Sequence, residues 1–460
     1  MPKSTNDSPW ARYEPTPDEP WDLRKVAHLH RRAAFGATRA ELLRDVAAGP
    51  EASVTRLFQP PALPPEETEA IDGLRQTARS SSNLDLLKVC WLNRILRGPD
   101  PLREKLTLFW HGHFATSNKK VESVTLMDRQ NETLRTHALG GFGTMLEAII
   151  ADPAMLVWLD GGNSKKEKPN ENFAREFLEL FTLGAGQFGE RDIREAARAF
   201  SGWVRQDSRG GFQETPAFAR DTAQVDDGPK TFLGQSGPWG PSDIVRITLE
   251  RPGAATFLAR KLYQWFVSDS GTAAPELIEP LAEEVRQHKF AIGPIVGVIL
   301  RSKHFYSRAA YRQRIKSPVE FSAGLVRTLE VPRQALNPLA LAAACDAQGQ
   351  ELFAPPNVEG WVGGSVWINS GTLLERTNWA ADIVWGRSEN GLTPFDPIAW
   401  ANRYKLSTDR ANLAFLDLLL QGELSDDARR LAQGAGRDGS PDGVRRALQL
   451  LLNCPEFQLA

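Results

Sequence analysis

The sequence has little cysteine and no long apolar run, and each shortage argues against a class of protein. Three cysteines occur in 460 residues, and they lie far apart along the chain. An odd and low count argues against a disulfide framework, and the spacing fits no zinc motif. No apolar run reaches the length of about 18 residues that a membrane-spanning helix needs, so we expect no membrane partner.

The charge of the chain is nearly balanced. It carries 55 Lys and Arg against 57 Asp and Glu, and its formal net charge is −2. The basic residues are scattered rather than arranged in stripes, so we expect no binding of nucleic acid or of an anionic membrane surface. Residues 1–23 contain no apolar segment like that of a secretory signal. We therefore expect a soluble protein of the reducing cytoplasm.

Helix signals dominate the rest of the sequence. Thr38 and Glu41 have the spacing of a capping box, and Asp100-Pro101 is typical of another helix start. Apolar periodicity indicates about fifteen helical segments. Residues 204–240 differ, because Gly, Pro and Asp are frequent there and the short apolar alternation is typical of a hairpin or a long loop. We predict a mostly α fold, a large multi-helix domain with a small irregular or β-hairpin insertion around residues 204–240.

The domain organisation follows from the same patterns. Residues 1–21 are polar and rich in proline, which predicts a disordered arm. Residues 22–460 are predicted to form a single large helical domain. The alternative is two lobes, residues 22–203 and 242–460, joined by residues 204–241. The sequence does not distinguish these two arrangements.

Two histidines stand close together in the segment "LTLFWHGHF". In an extended backbone, His111 and His113 point to the same side and are able to bind one divalent metal ion. In a helix they lie roughly 200° apart and cannot share an ion. Gly112 lowers helix propensity, so a His-Gly-His half-site at the end of the helix from Pro101 fits the sequence. The alternative, which is the more common one for an isolated pair, is two partly buried histidines bonded to backbone.

An acidic helix face is predicted in "PNENFAREFLELF", residues 169–181. Asn170 is a suitable N-cap. Glu176 and Glu179 are three residues apart, so their carboxylates share a face, which also carries Asn172. Paired carboxylates that face histidines from another segment resemble the ligand sets of carboxylate metal sites. The alternative is a solvated charged face.

The charged residues around this acidic pair support that alternative. Glu171 lies in the first turn of the predicted helix, where the helix dipole favours a negative charge. Arg175 is four residues from both Glu171 and Glu179, so two ion pairs fit without any metal ion.

Two later segments also carry polar or aromatic residues of interest. In "RIKSPVEF", Lys316 and Glu320 are either functional charges or parts of a helix start at Ser317-Pro318. In "PPNVEGWVGGSVWINSGTLLERTNWA", Asn357 and Trp361 lie on a glycine-rich stretch whose aromatic faces and amides suit sugar or peptide groups. Tryptophans that only fix a loop to the surface give the same pattern.

Taken together, these motifs resemble one family, the bacterial domain of unknown function numbered 1800. The resemblance covers residues 22–460 and depends on seven segments in a fixed order: "AHLHRRAAFGAT", "FWHGHFATS", "PNENFAREFLELFTLGAGQFGERDIREAARAFSGW", "DDGPKTFLGQSG", "FLARKLYQWFVSD", "KSPVEF" and "LFAPPNVEGWVGGSVWINSGTLLERTNWA". It implies a large helical domain without an assigned biochemical role, often encoded beside a sulfatase-like partner. The chain departs from the family pattern at Phe181 and Val225, where histidine is frequent in relatives.

The residues and the resemblance lead to a first hypothesis, a metal-dependent enzyme. A divalent metal ion of unknown identity would be bound by four residues: His111, His113, Glu176 and Glu179. Glu171 or another carboxylate would act as general base on a metal-bound water, with Glu176 and Arg175 also at the catalytic centre.

Four further residues would position the substrate: Asn170, Asn172, Asn357 and Trp361. Hydrolysis of a polymeric or peptide-like substrate is expected ahead of oxidation. The alternative is a non-catalytic binding or assembly protein that works with the sulfatase-like partner, in which buried polar networks only fix the fold.

Overall fold

The computed structural model describes residues 8–206, 217–269, 273–421, 425–436 and 439–460. Within these ranges the chain forms 24 α-helices and two small antiparallel sheets, so the predicted mostly α fold is confirmed. Among the same residues, every helix is too short or too polar to cross a membrane.

Twelve helices precede the strands: α1 (Leu23–Ala33), α2 (Arg39–Ala48), α3 (Pro50–Phe58), α4 (Pro65–Ser80), α5 (Leu84–Arg97), α6 (Pro101–His113), α7 (Asn118–Val121), α8 (Val124–His137), α9 (Phe142–Ile150), α10 (Pro153–Trp158), α11 (Glu171–Glu176) and α12 (Glu190–Ala199). A π-helix, Phe177–Thr182, directly follows α11. Many helices begin with proline, whose missing N–H costs nothing in the first turn.

Twelve helices follow the strands: α13 (Pro241–Leu249), α14 (Pro252–Phe266), α15 (Pro275–Gln287), α16 (Ile292–Arg301), α17 (Pro318–Thr328), α18 (Pro338–Ala347), α19 (Ser370–Trp385), α20 (Pro397–Arg403), α21 (Thr408–Leu420), α22 (Asp426–Ala435), α23 (Pro441–Asn453) and α24 (Pro455–Gln458). The predicted helix starts are confirmed at three places. Thr38 and Ser317 each form a capping box, and the Asp100 side chain accepts the backbone N–H of Arg103.

The predicted β insertion is also confirmed. Strand β1 (Trp203–Gln206) pairs antiparallel with β2 (Ala217–Arg220), and β3 (Lys230–Phe232) pairs antiparallel with β4 (Gln235–Gly237). The connection between β1 and β2, residues 207–216, lies outside the described residues.

The buried apolar residues of the helices form two hydrophobic cores. The first draws residues from Trp10 to Ala310, and the second draws residues from Val26 to Phe457. Each core contains residues from both sides of the insertion, so the cores do not coincide with the two lobes considered from the sequence. The choice between one domain and two lobes stays a prediction.

The N-terminal segment differs from the expected disordered arm. Trp10 and Tyr13 are buried in the first core. The Trp10 indole donates to the carbonyl of Leu277 at 2.8 Å, and the Tyr13 N–H donates to the carbonyl of Arg301 at 2.8 Å. These two aromatic anchors offset the ordering cost of a polar, proline-rich stretch. The expectation of an arm does not describe residues 8–21, and residues 1–7 lie outside the described residues.

A buried ion cluster connects three parts of the fold. Its centre is the Glu320 carboxylate of α17, which contacts the Lys105 ammonium of α6 and lies 3.1 Å from the Arg314 guanidinium. Lys105 also donates to the carbonyls of Arg31 and Ala34, at 3.0 and 2.9 Å. The cluster therefore connects the end of α1, the middle of α6 and the start of α17.

Burial acts in opposite directions on the pKa values of Glu320 and Lys105. Burial raises the pKa of Glu320, but the cations of Arg314 and Lys105 outweigh it and hold that pKa well below its usual range. For Lys105 burial outweighs the attraction of Glu320 and lowers the pKa to about 8. Glu320 faces two cations and also accepts the Ser317 N–H at 2.8 Å, so its ionised form is firmly held. An ion pair of this kind is costly to break from one side.

The first prediction concerns Glu320→Gln, which keeps the side-chain shape but removes the charge opposite Lys105 and Arg314. Because a buried cation is then left without its partner, we expect the free energy of unfolding in urea to fall by about 3 to 5 kcal/mol. Glu283→Gln is the matched control, since Glu283 forms an exposed pair with Arg286 on α15. The control is expected to leave the urea midpoint unchanged. Equal midpoints for both variants would contradict the proposed role of the cluster.

Candidate functional site

His111 and His113 lie on opposite sides of a helix. Helix α6 continues through Gly112 and ends at His113, so the expected extended His-Gly-His segment is wrong. Two residues of α-helix turn the second imidazole by roughly 200° from the first. The helix persists because its flanks are buried: Trp110 packs into the first core and Leu108 into the second. Tertiary burial outweighs the weak helix propensity of Gly112.

His111 faces the second core. Its Nε2 accepts the backbone N–H of Phe353 at 3.0 Å, which places the imidazole proton on Nδ1. Rings of Trp91, Phe353 and Trp361 surround it, with centroids 5.3 to 5.5 Å away. Burial lowers the pKa of His111 to about 3. This histidine is a neutral, enclosed group that fixes the segment carrying Phe353.

His113 faces the first core and has the opposite tautomer. Its Nε2 lies 3.1 Å from the carbonyl oxygen of Phe181, and a carbonyl only accepts, so Nε2 carries the proton. Its ring stacks on Phe109 at 5.9 Å. Burial, with the nearby cation of Lys261, lowers the pKa of His113 to about 3. His113 is therefore neutral, and Nδ1 is its acceptor.

The predicted acidic helix begins as expected. The Asn170 side chain caps α11 by accepting the N–H of Asn172 at 2.9 Å, and its amide donates to the carbonyl of Leu159 at 2.7 Å. Both polar groups of Asn170 are thus used by the fold rather than left for a substrate. Glu171 and Asn172 are exposed in the first turn.

Arg175 does not form the ion pairs with Glu171 and Glu179 that the sequence predicted. Arg175 makes a two-point ion pair with Glu190 of α12, with both N–O distances 2.9 Å. Glu176 ends α11, whereas Glu179 lies in the π-helix. Burial raises the pKa of Glu176, and the charges of Glu179 and Glu359 act in the same direction. These three carboxylates therefore lie within electrostatic range of one another.

The predicted metal ligands are not brought together. The two histidines face different cores, and each imidazole already binds a backbone group. Across the described ranges, no group of three or more His, Cys, Asp or Glu residues is arranged to hold a metal ion. The geometry therefore gives no common coordination sphere for His111, His113, Glu176 and Glu179.

A different arrangement joins the motifs. A cleft of about 470 Å³, here called the aromatic cleft, opens between the end of α6, helix α14 and the loop of residues 359–367. Its aromatic walls are Phe109, Trp265, Trp361 and Trp367, and its polar lining includes His113, Lys261, Gln264, Asp269, Arg314, Gln350 and Glu359. Indole walls with a few convergent polar groups are typical of a ligand site. Of the predicted site residues, His113 and Trp361 line it.

The loop that carries Trp361 rests directly on α6. Gly360 has φ +76°, and a Cβ there would overlap the carbonyl oxygen of Gly112. The Asn357 side chain accepts the N–H of Glu359 at 3.0 Å and so shapes the turn before Trp361. Asn357 therefore positions the loop, while Trp361 and Glu359 line the aromatic cleft.

Lys261 is the principal polar group that the sequence analysis missed. It lies on α14, lines the aromatic cleft and has its ammonium 5.5 Å from the ring centre of Phe257. Within the described residues, it donates no hydrogen bond and forms no ion pair. Burial lowers the pKa of Lys261, and the charge of Glu359 partly offsets this. A partly desolvated amine beside a carboxylate in a cleft is typical of a functional group.

Asp269 is the second missed residue. It lies just after α14, beneath the turn at Gly364, whose Cβ position is 3.8 Å from the Asp269 carbonyl oxygen. Its carboxylate is 3.9 Å from the Arg314 guanidinium, which is held by Glu320. Burial raises the pKa of Asp269, against the attraction of Arg314 and Arg32. The aromatic cleft thus contains a half-buried carboxyl and an exposed one, Asp269 and Glu359.

Comparison with known proteins gives a family but no function. The family model described as protein of unknown function (DUF1800) matches residues 28–459. The chain therefore belongs to this family, as its motifs indicated. A search of the curated proteins gave no match, and a search of the solved structures gave none either.

The second prediction tests how closely the loop approaches α6. Gly360→Ala places a methyl group against the Gly112 carbonyl and also strains a positive φ. Gly186→Ala is the control, because Gly186 has φ +81° but no atom within 4 Å of its Cβ position. We expect the control to lose about 1 kcal/mol of unfolding free energy and Gly360→Ala to lose roughly 3 kcal/mol. Equal losses in chemical unfolding would show that the predicted overlap is absent.

Proposed function

We propose that the aromatic cleft binds a polymeric ligand with hydroxylated rings, an oligosaccharide, and that the protein hydrolyses it with two carboxyl groups. The observation that supports this proposal is that two carboxyl groups line one cleft between indole walls, Asp269 half-buried and Glu359 exposed. Flat indole faces bind sugar rings, and two carboxyl groups in different environments are the usual machinery of glycosidic hydrolysis. This keeps the hydrolase hypothesis but not its metal centre.

The roles follow from the two environments. Asp269 has a raised pKa, so it retains a proton more readily than an ordinary aspartic acid and suits the general acid. Glu359 is exposed and lies near the Lys261 cation, and an exposed carboxylate at the rim of a cleft suits the general base or nucleophile. The Arg314 guanidinium lies 3.9 Å from the Asp269 carboxylate and 3.1 Å from Glu320, so it connects Asp269 with the buried ion cluster.

A second function has its own support. Val362 and Val366, which both line the aromatic cleft, are 77% and 59% exposed. Neighbouring exposed apolar side chains are typical of a binding surface. This favours the alternative of a non-catalytic binding or assembly protein, for which the sulfatase-like neighbour is the candidate partner. A cytoplasmic location stays a prediction.

The third prediction concerns ligand binding. Chitohexaose, cellohexaose and xylohexaose are titrated into the protein by calorimetry. We expect at least one of them to bind, and Trp361→Ala to weaken that binding by about tenfold because a stacking face is lost. Trp385→Ala is the control, since Trp385 lies at the end of α19 outside the cleft lining. If none of the three binds, or if both variants bind equally well, the saccharide assignment is wrong.

The fourth prediction concerns turnover. Cleavage of the bound oligosaccharide is followed by mass spectrometry of the products. Asp269→Asn and Glu359→Gln are each expected to lower kcat by about 100- to 10,000-fold while binding is retained. Glu66→Gln, in the exposed first turn of α4, is the control and should leave kcat unchanged. Binding without cleavage by the native protein would favour the non-catalytic alternative.

A further inference from the structure

A second cleft, unrelated to the aromatic cleft, is lined by arginines. It has a volume of about 470 Å³ and lies between helix α2, the end of α5 and the end of α17. Four guanidinium groups line it, those of Arg44, Arg56, Arg97 and Arg327. We propose that this arginine cleft binds a dianionic phosphate group, either free or carried as a monoester.

The carboxylates of the arginine cleft are already neutralised. Asp45 is buried and accepts from His30 at 2.8 Å and from Arg44 at 2.9 Å, and it also pairs with Arg56. One carboxylate thus holds three donor groups.

The other two acidic residues of the lining are also paired. Glu41 lies 2.7 Å from Arg327 and caps α2, while Glu330 pairs with Arg403 at 2.5 Å. Arg403 lies outside the lining but neutralises Glu330, so the two remaining carboxylates are set against the four lining guanidinium groups, which leaves two positive charges. That surplus matches a dianion in charge.

Arg97 is the cation without a partner. It ends α5, lines the arginine cleft and, among the described residues, has no hydrogen bond or ion pair; its Nε is buried without an acceptor. Burial and the like charge of Arg333 lower the pKa of Arg97, and the charge of Glu67 offsets them only in part, so the folded protein holds this cation at a cost. An anion relieves that cost by supplying the missing acceptor.

The arginine side chains suit a tetrahedral oxyanion. A guanidinium presents planar pairs of N–H donors that match two oxygens of a phosphate, which a lysine ammonium does not. The Arg44 and Arg56 side chains are 46% and 37% exposed, so they remain accessible while sharing Asp45. The helix dipole favours a cation in the last turn of α5 and so accounts for Arg97 alone. It does not account for the other three guanidinium groups that line the same cleft.

The test uses the full chain and two probes, sodium phosphate and glycerol 2-phosphate, titrated by calorimetry at constant ionic strength. We expect one or both to bind, and the stronger probe identifies a free ion or a monoester as the preferred form. Arg97→Gln should weaken binding by about tenfold. Arg97→Lys keeps the charge but loses the planar fork, so its affinity should lie between those of the native protein and of Arg97→Gln.

The control is Arg286→Gln, since Arg286 lies on α15, outside the cleft, and pairs with Glu283. It removes the same charge from the chain and should leave the affinity unchanged. Circular dichroism of each variant checks that the fold is kept. Failure of both probes to bind the native protein overturns the proposal, as does Arg97→Gln binding with the native affinity. Neither result alters the oligosaccharide test of the aromatic cleft.

Discussion

The contact between the Glu320 carboxylate and the cations of Lys105 and Arg314 is the interaction on which the site depends. It lies in the interior, where water cannot replace a lost partner, so the three side chains hold their backbones in one arrangement. Lys105 fixes the middle of α6, and Arg314 passes from Glu320 to Asp269 at the floor of the aromatic cleft. The positions of Asp269 and of α6 are therefore coupled through the buried charge of Glu320.

Helix α6 explains why the two histidines do not act together. A helix enclosed by two cores directs every second residue towards different neighbours, and each imidazole satisfies a backbone group on its own side. Burial lowers the pKa of both rings and keeps them neutral, and at His113 it outweighs the opposing effect of the Phe181 carbonyl. Each imidazole therefore makes a contact that supports the fold, and only His113 also lines the aromatic cleft, beside the polar groups of the neighbouring loop and of α14.

Local sequence signals predicted much of the fold. Capping residues located the starts of α2, α6 and α17, and the glycine-rich composition located the β insertion. The sequence indicated about fifteen helices where the described residues form 24, because helices as short as the four residues of α7 show no periodicity. Trp361 was predicted as a substrate contact from its aromatic loop, and it lines the aromatic cleft together with His113. Lys261 and Asp269 were missed, because Lys261 follows Arg260 like an ordinary solvated charge of an amphipathic helix, and Asp269 reaches the cleft only through tertiary packing.

The π-helix after α11 makes this chain sensitive to a change of length at that point. A π turn is an α-helix with one residue inserted, so removal of a single residue from Phe177–Thr182 would restore regular pitch. The side chains and carbonyls within the wide turn would then change direction, because they would follow α-helical instead of π-helical geometry. The Phe181 carbonyl would leave His113, and Glu179 would change its side relative to Glu176. A deletion of one residue here would thus change the contact of His113 and the pairing of Glu176 with Glu179 at the same time.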